Sequence, residues 1–181
     1  RKNIELLLNV QQDLPVFVWI DEARIKQVLM NLLGNAVKFT EAGEIELKIQ
    51  LVKINDKKVT LRFAVRDTGI GIPKHKQQRI FDAFTQEDSS VSKRYGGTGL
   101  GITISNNILK YMNSSLHLKS ELGLGSVFYF DIDVDYENSH VSEEQSIDLE
   151  KVLVVDDNDK NRIILQQMLS FKNIQADLAA N

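Results

Sequence analysis

Residues 31–39 read NLLGNAVKF. Upstream, Asp21 makes a good N-cap, and a helix is predicted from it to about Phe39. Ile25, Val28, Leu29, Leu32, Ala36 and Phe39 recur along it at three- and four-residue spacing, the mark of a core face. Asn31, Asn35 and Lys38 fall at i, i+4 and i+7, one polar stripe of the same helix. Taken alone, two asparagines and a lysine are a solvated face. Their company changes that reading, because DTGIGI at 67–72, FDAF at 81–84 and GGTGLG at 96–101 follow downstream.

The glycine-rich stretch RYGGTGLGIT (94–103) is neither of the common phosphate loops. It approaches G-x-x-x-x-G-K-[ST], but Ile102 stands where the lysine that reaches the β- and γ-phosphates belongs. It is not G-x-G-x-x-G either, since counting from Gly97 and Gly99 puts Ile102 at the last glycine. Both loops must also follow a buried strand, whereas TQEDSSVSKR precedes this one.

Composition narrows the class. The 181 residues suffice for one well-packed domain and a remainder. With 43% hydrophobic and 26% charged residues the chain reads as a globular protein. A net charge of −3 gives no sign of a nucleic-acid or anionic-membrane binder. The absence of cysteine removes disulfides and zinc–thiolate sites and suits a cytoplasmic location, whether or not a larger parent is anchored in the inner membrane. Apolar runs such as VFVWI are too short to span a bilayer, and no signal peptide opens the chain. The start, RKNIELLLNV without an initiator methionine, reads as a piece of a larger protein.

Strands are expected at 4–10 and 16–19, split by a QQDLP turn. EAG at 41–43 closes the long helix. Residues 44–54 and 59–66 form a hairpin across NDKK, and Pro73 can open a short helix over KHKQQRIF. A polar lid follows from about Asp82 to Gly97, then a helix from Gly99 to about Met112. LHLKS and SVFYFDIDV are two further strands joined by ELGLG. The acidic, aperiodic stretch from Tyr136 to Leu149 reads as a linker. KVLVVDDND is then a buried strand ending in acids, and NRIILQQMLSF an amphipathic helix.

Together, NLLGNAVKF, DTGIGI, FDAF and GGTGLG resemble, in order, the N, G1, F and G2 boxes of sensor histidine kinases, whose Bergerat-type ATP-binding domain is shared with gyrase, the heat-shock chaperone and mismatch-repair ATPases. The resemblance covers roughly residues 1–135. It implies a two-layer α/β sandwich, a mixed sheet with helices on one face, and the cofactors ATP and Mg²⁺. Gly97, Thr98, Gly99, Leu100 and Gly101 would belong to the G2 loop, whose amides meet phosphate at the start of the next helix. Asn35 occupies the Mg²⁺-ligand position. Lys38 and Arg94 would face the phosphates, Arg94 from the lid. Phe39 would flank the adenine or be plain core, and both readings stand. Asp67 would accept the adenine amino group, with Gly69 and Gly71 letting the backbone turn beneath the base. Phe81 and Phe84 would pack the lid, and Asp82 and Ser89 lie on its surface. In gyrase-like members a glutamate four residues before the metal asparagine activates water. Here that position is Asn31, whose amide cannot take a proton, which favours transfer to an external nucleophile over hydrolysis.

The acceptor histidine of such kinases lies on a separate helical hairpin. His75, His117 and His140 lack its sequence context, so that hairpin is expected upstream. The tail KVLVVDDNDKNRIILQQML resembles the start of a response-regulator receiver, in which Asp156 and Asp157 match the Mg²⁺-binding acids. The expected organisation is a catalytic domain (1–135), a linker (136–149) and a truncated receiver start (150–181). The expected function is that of a hybrid sensor histidine kinase. Its partners would be the histidine-bearing hairpin of a homodimeric parent and a receiver or downstream response regulator, with no nucleic acid. The rival readings are a chaperone- or topoisomerase-type clamp, a nucleotide-binding pseudokinase, and a serine-directed anti-sigma kinase. The tail, with about one and a half βα units, is expected to be disordered or to dock on a neighbouring surface.

Overall fold

In the computed structural model, residues 2–81, 100–137 and 151–180 are described. The catalytic unit is built on a mixed sheet of six strands. These are β1 (Asn3–Val10), β2 (Phe17–Trp19), β3 (Ala42–Ile54), β4 (Lys58–Asp67), β5 (His117–Glu121) and β6 (Gly125–Glu137). The order is β1-β3-β4-β6-β2, with β5 paired to the first half of β6. Only β1 and β3 run parallel; the remaining pairs are antiparallel.

Two helices cover one face: α1 (Glu22–Phe39) and α3 (Gly101–Tyr111). Between them along the chain come a short helix α2 (Lys74–Gln77) and a 3-10 turn at Arg79–Phe81, so the expected single helix over KHKQQRIF is two short pieces. Alternation explains which side is buried, since successive strand residues point to opposite faces. On β4, Val59, Leu61, Phe63 and Val65 are buried, and β6 places Val134, Ile132, Phe130 and Phe128 opposite them. Phe63 and Phe130 stack at 5.2 Å between ring centroids. Ile25, Val28, Leu32 and Ala36 of α1 close this core. Asp21 caps the helix as expected, accepting from the Arg24 amide at 3.1 Å.

Two corrections come with the fold. Strand β6 runs to Glu137, two residues into the expected linker, because β2 supplies an edge for it: Val18 pairs with Tyr136 and Phe17 with Glu137. The strand expected to be buried, β7 (Lys151–Val155), buries only Val154. It pairs in parallel with β8 (Gln175–Ala179) through α4 (Asp159–Phe171), and two strands with one helix cover one face only. Of the two states expected for the tail it is the docked one that is seen, with α4 packed along β1. No helix among the described residues is long and apolar enough to cross a membrane.

Candidate nucleotide site

The polar stripe of α1 faces the start of α3. Asn31 donates through Nδ2 to Ser105 Oγ at 3.2 Å and to the Gly101 carbonyl at 3.4 Å. A methyl group built on Gly101 would lie 3.9 Å from Asn31 Cγ and 4.0 Å from Asn35 Nδ2. Asn31 is therefore a fastener between two helices as well as a side chain unable to act as a base. One turn on, Asn35 is half-buried and makes no hydrogen bond with another described residue. The first turn of α3 carries no side-chain cap. Its amides therefore face the stripe as donors without partners inside the helix, with the positive end of the helix dipole behind them. Lys38 lies with Nζ 4.8 Å from the Phe39 ring centroid.

The other wall is the turn after β4. Asp67 is 7% exposed, and its Oδ1 accepts from the Gly69 amide at 2.8 Å. Burial pushes its carboxyl above the usual range, opposed by the amides of Gly69 and Ser126 and by Arg66. Gly69 cannot be anything larger: a Cβ there would sit 2.4 Å from the Phe39 carbonyl oxygen. That carbonyl also accepts from the Ile70 amide at 3.3 Å, so the turn lies directly under the end of α1. Gly71 has φ +66°, and a Cβ on it would meet the Glu121 carbonyl at 1.9 Å. A half-buried Phe39 thus joins this wall through its backbone carbonyl.

Several supporting residues escaped the sequence reading. Gly125 (φ +101°) brings β6 so close that a Cβ would lie 2.0 Å from the Asp67 carbonyl oxygen. Ser120 Oγ accepts from the Ile72 amide at 2.8 Å, and Gln77 donates to the carbonyls of Ile72 and Ser120. Lys2 donates to the carbonyls of Val37, Lys38 and Thr40, closing the C-terminus of α1 with a cation where the helix dipole favours one. The glycine pair in ELGLG was the one available signal; the others depend on long-range contacts that no local pattern carries.

Phe81 is half-buried against the core. His75 is exposed on α2, and His117 lies on β5, stacked on Tyr129 at 5.1 Å. Asp82, Phe84, Ser89, Arg94, Gly97, Thr98, Gly99 and His140 lie outside the described residues. Asp156 and Asp157 follow the end of β7 in the C-terminal unit and do not lie at this site. Asp156 already accepts from the Asn158 amide at 2.8 Å and from Asn161 Nδ2 at 2.5 Å. Among the described residues no group of three or more His, Cys, Asp or Glu side chains is placed to hold a metal ion.

A mixed sheet with two helices on one face, an asparagine stripe opposed to an uncapped helix start, and a buried aspartate before a glycine turn define a nucleotide-binding ATPase domain. The chain belongs to the family described as histidine kinase-, DNA gyrase B- and HSP90-like ATPases, whose model matches residues 20–136. It is 41% identical over 146 residues to the signal transduction histidine-protein kinase BarA of Shigella flexneri, covering 81% of this chain and 16% of that protein. It is 34% identical over 203 residues to the hybrid signal transduction histidine kinase K of Dictyostelium discoideum, covering 99% of this chain and 16% of that protein. The crystal structure of ShkA full-length in complex with AMPPNP superposes with a TM-score of 0.75 at 31% identity, over 97% of this chain and 35% of that one. The chain thus spans less than a third of the curated relatives named here.

Proposed function

We propose that this chain is the catalytic domain of a hybrid sensor histidine kinase, binding Mg-ATP and passing the γ-phosphoryl group to a histidine on a helical hairpin of its parent. The observation that carries the reading is the pairing of Asn31 and Asn35 on one face of α1. The first is tied to α3 and can accept no proton, while the second has no hydrogen-bond partner among the described residues and lies beside the uncapped helix start.

A single neutral oxygen beside amide donors fits Mg²⁺, which takes one or two protein ligands and completes its shell with phosphates and water. Asn35 would hold it, and the ion would neutralise charge on the β- and γ-phosphates. The chain's own residues position the rest. Asp67 accepts from the adenine amino group, and Gly69 and Gly71 let the backbone pass close beneath the ring. The amides at the start of α3 meet the phosphates, with Lys38 and Arg94 directed to the same charge. With Asn31 standing where a base would have to make hydroxide, the nucleophile comes from outside, in line with the γ-phosphate.

The tail supports a receiver start: β7-α4-β8 is a parallel βαβ unit, and Asp156 and Asp157 directly follow its first strand. Those two carboxylates alone make only part of a cation site. The phosphate would pass from histidine to an aspartate of a receiver. The catalytic unit then ends at Glu137 and not at 135.

Calorimetric titration tests the site. Asn35→Ala should weaken Mg-ATP about tenfold and leave ATP in excess chelator unchanged, and Asp67→Asn should weaken both by a similar factor. Equal affinities in all three proteins would remove the assignment.

A further inference from the structure

We infer that the outer face of the catalytic sheet, at its β1–β3 edge, is the docking surface for the C-terminal β7-α4-β8 unit, with the Glu44 carboxylate as its anchor. Strand register defines the face. Ile45 points into the core under α1, so Glu44 and Glu46 point away from it, together with Arg66 opposite Glu46 and Leu7 beside Glu46. On a bare sheet face, at an edge strand, Leu7 would be open to water. It is 4% exposed, whereas its neighbours Leu6 and Leu8 are 68% and 58% exposed. Helix α4 packs along β1.

Polar contacts fix the position. Lys160 forms an ion pair with Glu44 Oε2, and Asn158 Nδ2 donates to Glu44 Oε1 at 3.4 Å. Asn158 is the N-cap of α4, so the carboxylate also faces the positive end of that helix dipole. Glu44 is itself held rigid: Arg66 donates to it at 2.6 Å and also contacts Glu46, which accepts from Asn9 Nδ2 at 3.0 Å. The Lys160 hydrogen bond leads the causes that hold the Glu44 carboxyl below its usual range. The similarity to ShkA reaches 97% of this chain in one superposition, a share that requires the tail as well as the sheet. The occupant is thus the chain's own C-terminal unit. The docking is independent of any phosphotransfer, although Glu44 also bonds Thr68 through its backbone, next to Asp67.

The test treats a mixture of isotopically light and heavy full chain with a zero-length carboxylate–amine cross-linker and maps the products by mass spectrometry. Hydrogen exchange is then measured at residues 3–10. The expected product joins Glu44 to Lys160 within one chain. Lys160→Glu, an exposed change that leaves the catalytic core intact, should abolish the link and speed exchange in β1 roughly fivefold. No link between residues 44 and 160, a link only between light and heavy chains, or unchanged β1 exchange in Lys160→Glu would each overturn the docking.

Discussion

The catalytic sheet and the C-terminal βαβ unit use the same materials, apolar strands against an amphipathic helix, and they end in different states. Strands β4 and β6 bury every second residue beneath α1 and α3, and the core is continuous from Ile25 to Val134. Among the described residues of the tail only Val154, Ile164 and Ile174 are buried, while Leu153, Val155, Ile163, Met168, Phe171 and Leu178 stay exposed. The difference is one of layers. Six strands with two helices close an inner face, but two strands with one helix leave the other side of the small sheet open and depend on a neighbour. Stability should therefore be concentrated in one region and borrowed in the other.

The largest test of that contrast is a pair of truncations. Phe130→Ala removes a fully buried ring stacked on Phe63 and should destabilise the catalytic unit by about 3–5 kcal/mol. Ile164→Ala should abolish exchange protection in α4 and leave the main thermal transition in place. If both lower the same transition equally, the regions form one cooperative unit and the contrast fails.

Next comes a glycine pair in the β5–β6 turn. Gly125→Ala meets the Asp67 carbonyl and adopts a positive φ, so a loss of about 2–3 kcal/mol and weaker nucleotide binding are expected. Gly123→Ala also sits at positive φ (+82°) but has open space around it, and should cost about 1 kcal/mol with binding unchanged. Titration and thermal melts on both variants read this directly.

The smallest effects are pH dependences of opposite sign. Asp67 has a raised pKa, so the folded chain holds its proton longer than the unfolded one. Stability should then fall as pH rises from the ordinary aspartate range to the raised value, and Asp67→Asn should flatten that slope. Adenine binding should weaken as the solution is acidified through the same window. Glu44 has a lowered pKa; its contribution is present above the ordinary glutamate range and is lost as pH falls through the lowered value. Exchange in β1 measured against pH should follow Glu44 and not Asp67.

Much of the site was legible because its parts are local. The asparagine stripe needs only the helical period, and the turn after Asp67 announces itself by Gly69 and Gly71. Gly125 was not legible, since its meaning lies in a carbonyl 58 residues earlier in the chain. Ser105 and Lys2 were missed for the same reason: one receives Asn31, the other caps α1 from just before β1. The apolar run VLVV misled in the other direction. A strand of that composition is buried only where two layers reach it, and the number of layers is a property of the whole fold.

The proposed activity is transfer to an external histidine without hydrolysis. Its most direct measurement incubates the chain with radiolabelled Mg-ATP, alone and with a separate polypeptide carrying a histidine-bearing helical hairpin of the histidine kinase type. Alone, the chain should neither take label nor release phosphate at an appreciable rate. With the hairpin, acid-labile and base-stable label should appear on the hairpin and vanish with Asn35→Ala. Brisk hydrolysis by the chain alone, or label on serine, would contradict the account.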